Sequence, residues 1–199
     1  MRERVRRSLS WIGRAEEENE QSDLDAAFIF YWIALNAAYA EGRREAQHEL
    51  EARNGYLDKI TGLDTRQEVY NLIWKEFHGP IRILLDNEYV FQPFWDYHHG
   101  VPERENWEHW FKQSREGVYE ALKEQNTRFI LHTLFERLYT LRNQLMHGGA
   151  TWNRSVNRDQ VRDGTRIIKC LVPLFIDLMM DDPEGCWGSP YYPSKEILP

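Results

Sequence analysis

The segment RNQLMH, Arg142 to His147, brings a guanidinium, a carboxamide and an imidazole within six residues. That set suits cleavage of a phosphodiester without a metal. A neutral imidazole accepts the proton of a ribose 2′-hydroxyl, because an unperturbed pKa of about 6.5 serves acid–base work near neutral pH. A guanidinium holds two phosphate oxygens and stabilises the charge that grows on them. An amide such as Asn143 orients the imidazole or the scissile phosphate. The same residues also admit a structural reading: a histidine whose cation favours a helix C-terminus, beside an arginine that borders the core.

The element that must position them is a helix. Leu134, Leu138, Leu141 and Leu145 recur at i, i+4, i+7 and i+11 and define its buried stripe. Arg142 falls roughly 40° from Leu138, Asn143 roughly 140° away, and His147 nearly opposite. An arginine beside a core stripe needs a partner: an acid, a subunit interface or a bound phosphate. Gly148 and Gly149 end the helix, and their freedom lets the last turn unwind and swing the imidazole toward Arg142.

The rest of the chain reads as helices. Residues 2–19 are amphipathic through Val5, Leu9 and Ile12. The run AAFIFYWIALNAAY is apolar nearly all round and marks a central helix, capped by Ser22, with Asp23 and Asp25 at its positive end. Its one amide, Asn36, is either a supporting site residue or a buried amide satisfied locally. Residues 41–64 are polar, with Asn54-Gly55 and Thr61-Gly62 as turn signals, and predict a connection holding at most a short helix. A helix follows over 64–77, capped by Asp64 and ended by Gly79-Pro80, then a short one over 81–90. The aromatic stretch from Phe91 reads as a loop leading into a helix near Glu103, with a break at Gln125-Asn126. A last helix starts at Asn157, with Gln160 at the reciprocal capping position, runs to Met180 and bends at Pro173. The expectation is an all-α, up-and-down helical bundle: one domain over 1–180, an insertion at about 41–123, and a Pro/Gly-rich tail over 181–199 that forms an extended strap or a disordered end.

Composition sets the bounds. The chain has 199 residues, 42% hydrophobic and 29% charged, long enough for a real core and neither disordered nor membrane-spanning by composition. No apolar run reaches the roughly 18 residues of a spanning helix, and the basic N-terminus lacks the apolar stretch of a leader, so the expected location is cytoplasmic, away from membranes. Cys170 and Cys186 lack the spacing of a zinc site or disulfide framework. His98, His99 and His109 come with no compact ligand motif, so neither metal nor cofactor is expected. Trp95, Trp107, Trp110 and Phe111 offer base-stacking rings but fit core packing better.

The net charge of −7 excludes indiscriminate coating of nucleic acid. Residues 128–169, however, hold eight Lys/Arg against three acids, Glu136, Asp159 and Asp163. Within that stretch Arg158, Arg162, Arg166 and Lys169 fall within roughly 80° of one another on the last helix. With Arg154 they form a cationic stripe able to follow an RNA backbone, or else an ordinary solvated face partly neutralised by Asp159 and Asp163.

LYTLRNQLMHGG resembles the R-N-x-x-x-H signature of the HEPN superfamily, the higher eukaryotes and prokaryotes nucleotide-binding domains. FIFYWIALNAAY is similar to the aromatic-rich early helix of that family. The order of early core helix, motif helix, short loop and last amphipathic helix agrees over 23–39 and 129–180. The resemblance implies a homodimer in which two motifs share one cleft. It further implies a metal-independent endoribonuclease of toxin or anti-phage type, with a possible protein antitoxin. Arg142 and His147 then become the catalytic pair, and Asn143 the polar second position. One departure is plain: GGATWN carries no tyrosine two residues after His147, so regulation by adenylylation there is not implied. Two alternatives remain open, a silent member that binds RNA, a nucleotide or a protein, and a structural helical dimer.

Overall fold

The computed structural model describes residues 1–41, 46–149, 151–153, 155 and 157–192, with residues 46–48 in backbone only. Among the described residues every regular element is helical: nine α-helices, a π-helical turn, a 3-10 turn and no strand. The chain is an all-α helical bundle. It gathers into two compact units, Met1–Val69 with Ile168–Pro199, and Tyr70–Ile167.

In the first unit α1 (Arg2–Glu20) packs along α2 (Leu24–Tyr39). Ala15, Ala27, Ala34 and Ala38 are buried, and such small side chains let two helices approach closely. Phe28, Tyr31, Trp32 and Leu35 fill the space around them. The buried arc of α1 runs through Arg4, Ser8, Ile12 and Ala15, while Leu9, expected inside, is 48% exposed. The two polar members of that arc are tolerated because carbonyls receive them. Ser8 Oγ donates to Ala34 O at 2.9 Å, and Arg4 donates to Ala37, Ala38 and Ala40 O at the C-terminal end of α2. Asp23, rather than Ser22, caps α2, its carboxylate accepting from Ala26 N at 3.0 Å.

The expected polar connection after residue 41 is instead an eighteen-residue helix, α3 (Ala46–Leu63). Asn54-Gly55 and Thr61-Gly62 lie inside it. Arg53, Tyr56, Leu57 and Ile60 bury one face at helical spacing, and that burial outweighs the modest cost of two interior glycines. The tail is fastened to the first unit as far as Ser189. Trp187 is buried, Tyr56 meets its ring edge-on at 6.0 Å, and Lys59 stands 3.6 Å over it. Arg4 completes the fastening by donating to Gly188 O and Ser189 O. Both cysteines are free thiols.

The second unit begins in the last residues of α4 (Glu68–Asn71), which winds into a π-helical turn over Leu72–Glu76. Gly79-Pro80, expected as a stop, occupies the first turn of α5 (His78–Leu85), where a proline has no intrahelical donor to lose. A 3-10 turn (Glu88–Val90) leads to α6 (Gln92–His98), a helix where a loop was expected, again with its proline near the start. α7 (Trp107–Glu124) ends on Gln125 in the left-handed conformation, at the expected break. Asn126 then caps α8 (Thr127–Met146), accepting from Phe129 N at 3.0 Å. α9 (Arg158–Met180) starts in this unit, runs through Pro173 and ends in the first unit. No described helix is long and apolar enough to cross a membrane.

Candidate functional site at the C-terminal end of α8

α8 anchors the site through Leu134, Leu138 and Leu141, all fully buried as the leucine stripe requires. Leu145, the fourth, is only half-buried because the helix is about to leave the core. Arg142 and Asn143 are half-buried and joined: Arg142 Nη1 donates to Asn143 Oδ1 at 2.9 Å. The guanidinium also lies 5.7 Å from the Tyr139 ring centroid. Among the described residues no carboxylate pairs with it. The arginine beside the stripe therefore keeps donors to spare.

His147 is exposed and sits one residue past the helix. The last turn has not unwound, since His147 N still donates to Asn143 O at 3.0 Å. The chain reverses one residue later. Gly148 takes φ +68°, its N–H reaches Leu145 O, and Gly149 N reaches Gln144 O at 2.7 Å. These paired bonds are a Schellman closure, in which the left-handed residue is best a glycine. Gly149 is constrained too, because a Cβ there would stand 3.1 Å from Gln144 O. The backbone of His147 is thus held at a closed helix end, and the expected unwinding of the last turn is not found.

Gln144, which sequence reasoning passed over, ties this end to two distant segments. Its Nε2 donates to Tyr89 O, and its Oε1 accepts from Asn157 Nδ2 at 3.1 Å. Trp95 Nε1 also donates to Tyr89 O, at 2.8 Å, so one carbonyl joins α6 to the last turn of α8. Its partners lie 55 and 13 residues away, and nothing local in the sequence marks them. Of the rings noted in the sequence, Trp95 and Trp107 assemble here, whereas Phe111 packs against Phe91. Phe94 meets Tyr89, Trp95, His98 and Trp107 at centroid distances of 4.4–5.4 Å. None of the α6 side chains is fully buried, so these rings form a half-exposed surface rather than a core.

The cationic stripe is divided in its duties. Arg158 is half-buried and donates to Asn153 Oδ1 at 3.0 Å. Arg162 is held by Asp159 at 2.7 Å and by Asp163 at 3.1 Å, and the Asp163 hydrogen bond leads the causes that raise its pKa. Arg166 and Lys169 are exposed. Arg154 lies outside the described residues. Asn36 belongs to the first unit, on α2, where its Oδ1 is buried and accepts no hydrogen bond from the described residues. Among the described residues no three metal-ligating side chains cluster. Comparison with known protein families, with curated proteins and with solved structures finds no match.

Proposed function

We propose that the chain is a HEPN-like, metal-independent endoribonuclease that acts as a homodimer, in the service of defence or growth arrest. The observation that carries this reading is the Arg142–Asn143 pair, a half-buried guanidinium with no carboxylate partner among the described residues, one turn from an exposed His147 just past the end of the same helix. In the reaction His147 takes the proton from a ribose 2′-hydroxyl. The 2′-oxygen attacks the adjacent phosphorus, the bond to the 5′-oxygen breaks, and that oxygen leaves with a proton taken from water. The products are a 2′,3′-cyclic phosphate and a 5′-hydroxyl end. The guanidinium donors not used on Asn143 stabilise the phosphorane oxygens, which carry more charge in the transition state than in the substrate.

One feature favours a second reading, a silent module that binds RNA or a protein partner such as an antitoxin. Among the described residues nothing accepts a hydrogen bond from the His147 imidazole, whereas a working general base is usually oriented by such a partner. In the dimeric reading that orienting group comes from the second protomer. Met146, 55% exposed beside His147, supports an interface at this helix end.

The test is cleavage of labelled single-stranded and structured RNAs in excess chelator. Wild type is expected to leave cyclic phosphate ends, with His147→Ala slower by about 10²–10⁴-fold and still able to bind. Equal inertness of the two proteins, with RNA retained by both, would support the binding module instead.

A further inference from the structure

Independently of the ribonuclease reading, we infer that the aromatic face formed by α6 and the start of α7 is a docking surface for an extended, arginine-bearing segment of a partner protein. Phe94 stands at its centre, edge-on to Tyr89 and Trp107 and 4.4 Å from the His98 ring. Tyr97 lies against His98 and Trp107 at centroid distances of 5.2 and 6.4 Å. Tyr89 and Tyr97 remain 54% and 43% exposed. Rings left at the surface in a cluster are where association gains most, because each buries a large area at a small cost in side-chain entropy. The cluster is also held in place. Trp95 Nε1 and Gln144 Nε2 both donate to Tyr89 O, so the face is fastened to the last turn of α8.

Charge selects the occupant. Residues 86–108 hold six Asp/Glu against a single Lys/Arg, Arg104. Among the described residues only two of those acids are in ion pairs, Asp86 with Arg115 and Asp96 with Arg104. The balance is the reverse of that over residues 128–169, and it repels the phosphates that any stacked base brings with it. A cation is favoured twice, by the carboxylates and by the negative faces of the rings. Arg104 shows the mode within the chain. Its guanidinium lies 5.6 Å from the Trp110 ring centroid while its Nε stands 3.4 Å from Asp96. Arginine suits such a face better than lysine, because a planar guanidinium stacks on a ring and still offers donors at its edge to a carboxylate. A second copy of this chain, with its net charge of −7, is a poorer occupant than a basic partner.

The probe is a short fluorescein-labelled peptide of alternating glycine and arginine, compared with the same peptide carrying citrulline, which keeps the shape of arginine and lacks its charge. Binding to the full chain is followed by anisotropy at low salt for wild type, Tyr97→Ala, Tyr97→Phe, Glu108→Gln and Glu17→Gln, with mass checked by light scattering. Wild type is expected to bind the arginine peptide and leave the citrulline peptide free. Tyr97→Ala should weaken binding about 2–5-fold, and Tyr97→Phe, which keeps the ring face, should restore it. Glu108→Gln, beside Trp107, should weaken binding more than Glu17→Gln, which changes net charge equally on α1. Unchanged affinity in Tyr97→Ala, or equal losses in the two glutamine variants, overturns the inference, since the peptide is then held by overall charge. Equal binding of the citrulline peptide makes the face merely apolar and overturns it too. So does a single-stranded oligonucleotide that binds wild type and is lost on Tyr97→Ala, which assigns the face to RNA. A Tyr97→Ala protein of lower mass than wild type makes the face an interface between copies, and wild type that binds no peptide leaves the face without its partner; either result overturns the inference.

Discussion

Arg4 in the first unit and Arg137 in the second are each at most 2% exposed, and their surroundings treat the buried charge in opposite ways. Arg4 spends its donors on five backbone carbonyls, three at the end of α2 and two in the tail. Carbonyls at a helix C-terminus suit a cation, which is where unpaired acceptors and the negative end of the dipole coincide. Arg137 has one hydroxyl, Ser114 Oγ at 2.8 Å, and two ring faces, Phe91 at 4.6 Å and Phe111 at 5.8 Å. Among the described residues its Nε has no hydrogen-bond partner. Burial lowers the pKa of both guanidinium groups, and for Arg137 the fall reaches about 10. The folded state therefore binds that proton less tightly than the unfolded chain. The Arg137 charge opposes folding throughout the neutral range, and the penalty is relieved only as pH climbs above about 10. Arg4 is a buried cation used as a fastening; Arg137, in the unit that carries the motif, is one that is poorly satisfied.

The sharpest way to break this contrast is a pair of matched substitutions. Arg4→Met should lower the free energy of unfolding by about 3 kcal/mol or more, because it leaves several buried carbonyls without donors and unfastens the tail. Arg137→Met should change it by less than about 1 kcal/mol, and in the stabilising direction if the methionine packs well between the rings. Ser114, half-exposed, finds water in place of the guanidinium. Urea unfolding of the three proteins reads the difference. Equal losses would mean that Arg137 is as integral to its unit as Arg4, and the comparison would fail.

Elements within each unit also differ in how far the sequence discloses them. α8 and the start of α9 are legible because their signals are local: Asn126 as a cap, a leucine stripe, two glycines as a stop. α3 is hidden behind Asn54-Gly55 and Thr61-Gly62, which are turn signals only when nothing buries the flanking residues. α6 is hidden by Pro93, read as a breaker although at a helix start it costs no hydrogen bond. In α1 hydrophobicity favours Leu9 for the core, but the carbonyls that receive Arg4 and Ser8 come from α2 and the tail. At the site the same limit applies. Arg142, Asn143 and His147 are marked by type and spacing, whereas the role of Gln144 depends on partners in two other segments.

Glycines offer the next comparison, with effects near 1 kcal/mol and opposite signs. Gly148 has φ +68°, so Gly148→Ala should cost about 1–2 kcal/mol and disturb the closure that holds His147. Gly13, within α1, has nothing within 4 Å of an added Cβ and ordinary helical φ. Gly13→Ala should therefore stabilise by about 0.5–1 kcal/mol. Thermal melts of the two variants test the signs, and RNA cleavage should fall for Gly148→Ala alone. A Gly148→Ala protein with unchanged stability would show that the end of α8 tolerates another conformation.

The smallest effect separates the charges of the two units. Asp159 is 76% exposed and pairs with Arg162, so Asp159→Asn removes one of the two acids that neutralise that arginine and leaves Asp163 in place. If the stripe follows an RNA backbone, the variant should bind an uncleavable oligonucleotide a few-fold more tightly at low salt. The slope of log affinity against log salt should steepen by a fraction of the roughly 0.7 expected for one added phosphate contact on a single strand. Glu17→Gln on α1 is the matching change in the first unit, where an exposed acid pairs with Arg14. It alters net charge identically but lies on a different helix, so its slope should stay at the wild-type value. Equal steepening in both variants would mean that RNA responds to the overall charge of the protein and not to the face of α9.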